Sequence, residues 1–377
     1  MAKRDQRSRC PWLTNVFFAV TITAPFVFQA CGSSSVQPSQ LFAYVTNPMA
    51  GTLTAYTINT SGTLVPLLGS PINIGGAPYA AAADPRGRYL YVGTVESGFG
   101  AMDAYSIDAR TGALTKEGSS LGIAPPGPGV LAIAFHPSGK WLYTAGPGSR
   151  IYGFNIDPNT GALSALNGSP FTDAGGVPNS ITLNSAGSFA FASNPGPENV
   201  TVFSVGSTSG QLTEAGPPFS FVSAQWATSD KSGAYLYVMS SLDENVHAFG
   251  IGPTGNLGPL SPPTYHADGE PIFSTLSPNG QFLYVINTST SSPQVQVFSI
   301  NSSTGGLTEI NGSPFLTAGD SKSINFTPSG QSAYITSENT DTVWEYPVNP
   351  TTGALGTPSQ IASGGMPTSI AVAATHP

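Results

Sequence analysis

Charge is what this sequence has least of. Only 8 % of its 377 residues are Asp, Glu, Lys or Arg, against roughly 25 % in an ordinary soluble domain. The little charge present leans acidic, 20 Asp and Glu against 12 Lys and Arg for a formal net of −8. That balance excludes a phosphate-binding surface and hence a nucleic-acid partner. Cysteine is equally scarce: the two that occur are Cys10 and Cys31. The rest of the chain therefore holds no disulfide framework, no thiol nucleophile and no cysteine-ligated zinc. No two of the four His stand at metal-ligand spacing, so neither a metal nor a cofactor is expected. In contrast, Gly (44) and Pro (34) are abundant, and 40 % of the residues are hydrophobic. Frequent turns with enough apolar surface for a core point to an all-β protein and away from helical bundles, coiled coils and disordered tracts. The length alone suggests two or three domains, unless one large β architecture takes it all.

Residues 1–30 are unlike the remainder. Lys3, Arg4, Arg7 and Arg9 form a basic start, and the stretch from Trp12 to Ala30 is mostly apolar. This is the layout of a secretory signal. A small residue before Cys31, with Gly32, Ser33, Ser34 and Ser35 after it, resembles a bacterial lipoprotein signal, although Phe28 stands where that motif usually carries Leu. Cys31 is then the expected lipidation site, 31–40 a Gly/Ser tether, and the membrane is reached through the lipid anchor only. The alternative is an uncleaved N-terminal anchor, which Pro25 and the Thr residues disfavour. The signal holds four of the twelve basic residues and one of the twenty acidic ones, so the remainder carries eight against nineteen, a net of −11.

From residue 41 to 377 a repeat of 45–52 residues runs through the chain. One column reads Tyr44, Tyr91, Tyr143, Phe191, Tyr237, Tyr284, Tyr334, and a second Tyr56, Tyr105, Phe154, Phe203, Phe249, Phe298, Tyr346. A Gly-x-Leu turn recurs at Gly62, Gly112, Gly161, Gly210, Gly255, Gly305 and Gly353. Repeats of this length, rich in aromatic and β-branched residues, predict propeller blades of four strands packed on both faces. The first repeat lacks its leading strand, and Ser369 to Pro377 supplies a match for it, so the last strand is expected to complete the first blade and hide both edges. The prediction is a seven-bladed β-propeller.

Tyr44-Val45-Thr46-Asn47 is the signature of YVTN-type propeller repeats. Together with His136-Pro-Ser-Gly-Lys-Trp-Leu-Tyr143 and Ser277-Pro-Asn-Gly-Gln-Phe-Leu-Tyr284, it resembles the lactonase, or 6-phosphogluconolactonase-like, propeller family over residues 41–377. The resemblance implies a polar site at the mouth of the central channel, built from His, Arg and Glu on adjacent blades, and a carboxylic ester hydrolase activity. The positions that match the family's set depart from it. Where an HxH pair is implied the chain reads Val177-Pro178-Asn179-Ser180. An implied Arg-His pair falls on Gln225-Trp226, an Asn-Glu-Leu on Ser240-Ser241-Leu242, and an Asn-Arg on Asn287-Thr288. Gln, Trp, Ser and Thr supply neither a general base nor an anion clamp near neutral pH.

The expected function is therefore an extracytoplasmic, lipid-anchored binding module with a degenerate catalytic site, taking a small molecule, carbohydrate or envelope protein on its loop-bearing rim. The alternative is a hydrolase of a sugar or other lactone. The rim loops carry Glu96, Arg150, Glu198, Asp243, Glu244, Glu270, Asp320, Lys322, Glu338 and Asp341. Among these, Glu270 and Glu338 are the candidate catalytic carboxylates, and Arg150, Lys322, Asp243 and Glu244 the candidate ligand contacts; solubility is the plainer use of the same charges. His136 and His376 share a column with Asp84, Asn184, Asp230, Ser277 and Thr327 just before a tight turn, where each can accept a turn N–H.

Overall fold

The computed structural model describes residues 39–123, 132–146, 148–288, 293–317 and 319–376. The expected signal at 1–30, the expected lipidation site Cys31 and the expected tether as far as residue 38 lie outside the described residues. Gln37–Pro377 is one compact unit.

Seven antiparallel sheets follow one another along this unit. Their first strands are Ala77–Ala83, Ala132–Phe135, Ser180–Leu183, Ala224–Ser229, Glu270–Leu276, Ser321–Phe326 and Ser369–Thr375. Each of these packs against the first strand of the next sheet, and Ser369–Thr375 packs against Ala77–Ala83. The first strands therefore make a closed inner ring, and the sheets radiate from it as seven blades. Blade 1 takes Ser369–Thr375 as its inner strand, then Gln40–Asn47, Thr52–Ile58 and Leu64–Pro66. The closing pair runs antiparallel from Gln40↔Thr375 to Thr46↔Ser369, so the chain's last strand completes its first blade as the repeat pattern requires. Four strands per blade holds throughout, with one refinement. In five sheets the outer strand is broken into two short pieces, both paired to the third strand.

The core is divided among the blade interfaces. Each of seven hydrophobic clusters spans two neighbouring blades, from Phe42 and Tyr44 against Leu90 and Val92 around to Tyr334 and Val343 against Val45 and Tyr56. Strands buried on both faces by such stacking read as continuous apolar runs, which explains the β-branched and aromatic columns.

The two aromatic-and-glycine columns turn out to be bonded to each other. The phenol of Tyr44 donates to the Gly112 carbonyl at 2.7 Å, one blade on. Tyr91, Tyr143, Tyr237, Tyr284 and Tyr334 repeat the bond to Gly161, Gly210, Gly305, Gly353 and Gly62 at 2.6–2.9 Å. Only Phe191 in the column has no hydroxyl to give. The turn column behaves as its chemistry predicts at six positions. Asp84, Asn184, Asp230, Ser277 and Thr327 accept the N–H five residues on, and His136 accepts the Ser138 N–H through Nδ1 at 3.1 Å. His376 is exposed at the last described position.

Candidate ligand site on the loop-bearing rim

Inner strands begin, and the hairpins between second and third strands turn, on one rim of the ring. Three consecutive blades there enclose a cavity of about 760 Å³, lined by Glu244 from the blade 5 hairpin, Gly269, Glu270, Ile272, Thr288 and Pro293 from blade 6, and Asp320, Lys322 and Asn339 from blade 7. Lys322 lies between two carboxylates, its Nζ 2.7 Å from Asp320 Oδ2 and 2.9 Å from Glu338 Oε2. Burial alone would lower the Lys322 pKa, but the hydrogen bonds and charges of Asp320 and Glu338 outweigh it and hold the ammonium above its ordinary value. An ammonium so compensated offers little to an incoming anion. Four sequence candidates are thus brought together: Glu244, Glu270 and Lys322 in the cavity wall, and Glu338 through its ion pair.

The positions implied by family resemblance also meet, as a neutral network. Gln225 Oε1 accepts from Asn179 Nδ2 at 3.3 Å, and Gln225 Nε2 donates to Ser223 Oγ at 3.2 Å and Ser241 Oγ at 3.0 Å. Amide and hydroxyl groups thus occupy positions where the resemblance implies imidazole, guanidinium and carboxylate, and they satisfy one another. Asn287 is fully buried and donates to Gln296 Oε1 at 3.3 Å. Trp226 stacks at a tilt on Phe273, with centroids 4.6 Å apart. Both face the central channel of about 420 Å³, which Lys322 also lines, so the rim cavity and the channel share a wall.

The remaining candidates lie elsewhere. Arg150 opens the third strand of blade 3, is exposed, and lines neither the rim cavity nor the channel. Asp243 is bound to His247, Oδ2 to Nε2 at 2.8 Å, and the imidazole packs edge-on against Phe221. His266 stands exposed, 3.7 Å from Asp268. Among the described residues no group of three His, Cys, Asp or Glu could hold a metal ion. Gly118-Ser-Ser-Leu-Gly122 spells a Gly-x-Ser-x-Gly pattern, against the expectation that the chain carries no such elbow. It lies along the broken outer strand of blade 2, where Ser120 Oγ accepts from Lys116 Nζ at 2.9 Å and Leu121–Ile123 is itself strand, so Ser120 does not sit on a strand-to-helix turn. The sequence reading passed over the Trp226–Phe273 pair, although both residues fall in inner-strand positions that the repeat places.

A family profile for the lactonase seven-bladed β-propeller matches residues 126–229 and 226–372. The 6-phosphogluconolactonase of Bacillus subtilis is 25 % identical over 195 residues, 47 % of this chain and 53 % of that protein. An Arthroderma benhamiae relative is 33 % identical over 135 residues, a third of each chain. The chain thus spans about half, or less, of the curated relatives it matches. Among solved structures, the periplasmic gluconolactonase of Pseudomonas aeruginosa superposes with a TM-score of 0.75 at 19 % identity, covering 90 % of this chain and all of that one. A Bacteroides uniformis protein gives the same TM-score and identity over 89 % of this chain and all of its own.

Proposed function

Because this chain belongs to the lactonase family of seven-bladed β-propellers, we propose that it is a member whose rim binds and no longer hydrolyses. The observation that carries the reading is the Gln225 network: Asn179, Ser223, Gln225 and Ser241 bond among themselves. Ester hydrolysis near neutral pH needs a base for the attacking water and a donor or cation for the developing oxyanion. Amides and hydroxyls held by one another serve as neither. As a lipoprotein anchored through Cys31, the propeller would present this rim outside the cytoplasmic membrane, to a small molecule, a carbohydrate or an envelope protein. A Pseudomonas aeruginosa propeller of this fold is named as periplasmic, so an exported location suits the architecture.

One observation favours the other reading, hydrolysis of a sugar or other lactone. Glu270 and Lys322 line a single cavity, as a base and an anion-binding group would, and the Bacillus subtilis relative is named a 6-phosphogluconolactonase. Against it stands the double ion pair of Lys322. The test is pH-stat titration of a panel of sugar and aliphatic lactones, with the Glu270→Gln, Glu338→Gln double variant beside the unaltered chain. The expected result is acid release at the buffer rate for both. Turnover that disappears in the variant would overturn the binding reading and give the site to a rebuilt hydrolase.

A further inference from the structure

Nine large hydrophobic side chains are well exposed among the described residues, and six of them, Met49, Phe99, Val177, Val222, Leu242 and Met366, lie on the loop-bearing rim. The other three belong to outer strands or the loop beside them, and none lies on the opposite rim. Isolated exposed apolar residues are ordinary, but their concentration on one face marks an interaction surface.

Three of the six sit on the loops that hold the neutral network. Val177 is 51 % exposed, Val222 46 % and Leu242 68 %, and they are close sequence neighbours of Asn179, Ser223 and Ser241. These loops are tied together: Ser240 Oγ donates to the Val222 carbonyl at 2.7 Å, Ser223 and Ser241 are 3.1 Å apart, and Asn179 reaches Gln225. The apolar patch is thus mounted on a cross-bonded base. Two residues beyond Leu242, on the same hairpin, Glu244 enters the wall of the acidic cavity. There Lys322 offsets only one of Asp320 and Glu338, so with Glu244 and Glu270 the cavity keeps three uncompensated negative charges.

We infer that this junction docks a basic segment of a partner protein, with an apolar side chain seated on Val177, Val222 and Leu242 and a neighbouring Lys or Arg entering the cavity walled by Glu244, Glu270 and Asp320. The inference rests on the binding reading above and names its partner. Charge complementarity selects a basic occupant and disfavours a second copy of this chain, which would bring the same acidic rim. A central apolar anchor beside a cation held by carboxylates is also the composition in which a few residues carry most of an interface's affinity.

The test is panning of a random displayed peptide library against the propeller Gln37–Pro377, a compact unit whose ring is closed by its own strand. Enriched peptides are expected to carry Lys or Arg beside a large apolar residue. Their affinity should fall about tenfold in Leu242→Ser, fall again in Glu270→Gln, and weaken steeply with added salt. Leu242 is exposed, so its substitution leaves folding intact, which a thermal melt verifies. Failure to enrich any peptide, enrichment of acidic peptides, or affinity indifferent to Leu242→Ser would overturn the inference. Concentration-dependent dimerisation lost in Leu242→Ser would instead assign the patch to a second copy. These results leave the lactone panel untouched, so the docking inference and the binding reading fail separately.

Discussion

Tyr284 shows how much a single atom does in this molecule. Its ring is fully buried, and its hydroxyl crosses the blade boundary to the Gly353 carbonyl at 2.7 Å. Burial raises its pKa well above the ordinary phenol value, so the group stays a neutral donor throughout the physiological range. Tyr284→Phe keeps the packing and strands the carbonyl; it is expected to cost about 1 kcal/mol, read as a lower denaturation midpoint at unchanged slope. His136 is the residue whose role depends on pH. Burial lowers its pKa below the ordinary 6.5, with the Gly187 carbonyl partly opposing, and its neutral form accepts the Ser138 N–H through Nδ1 while Nε2 meets Gly187 O at 3.0 Å. A depressed folded pKa means the unfolded chain takes the proton first. The imidazole's contribution is thus whole above pH 6.5 and is lost as the pH falls through the folded value. His136→Asn, matching Asn184 in the same column, should flatten the stability profile over that window. A profile as steep in the variant as in the parent would refute the assignment.

At the scale of the turn and strand, Gly353 explains why its column never varies. Its φ is +77°, and a Cβ there would stand 2.6 Å from the Phe282 ring. Gly353→Ala combines backbone strain with overpacking and should destabilise by about 2–4 kcal/mol, several times the Tyr284→Phe effect at the other end of the same bond. Chemical denaturation of the two variants side by side checks the order. The elements were legible in the sequence because each repeats the same burial on both faces, so one pattern recurs seven times. The bond between the Tyr and Gly columns was not, since a period gives positions and not which repeat touches which. The rim was legible only in part. Glu270, Lys322 and Glu338 were picked out as charges in a charge-poor chain, but loops have no period. Nothing in the sequence told that Lys322 would be neutralised by Asp320 and Glu338, or that Arg150 would fall blades away from them. The apolar Val177, Val222 and Leu242 left a weaker signal, as hydrophobic residues placed by the repeat outside any strand.

The ring closes only through its last strand. Ser369–Thr375 pairs along its length with Gln40–Thr46, buries Ile370, Ala371 and Ala373, and touches the inner strands on either side. Thr46 and Thr368 add a hydroxyl clasp, Oγ1 to Oγ1 at 3.0 Å, and the Ser369 N–H donates to Thr46 Oγ1 at 2.9 Å. Without this strand blade 1 would present a bare edge to the channel, and the clusters joining it to blades 2 and 7 would lose Ala371, Ala373 and Ile370. Each backbone bond lost from the ladder costs about 1 kcal/mol. Seven residues of pairing with their apolar contacts therefore approach the roughly 5–15 kcal/mol by which a folded domain exceeds its unfolded chain. A chain ending at Met366 should accordingly unfold without a single cooperative transition and self-associate through the exposed edge, as calorimetry and light scattering would show. A synthetic peptide spanning 367–377 should restore the transition in trans by refilling the slot. A truncated chain melting at the parent's temperature would mean that the blades stand by stacking alone and that the closing strand is dispensable.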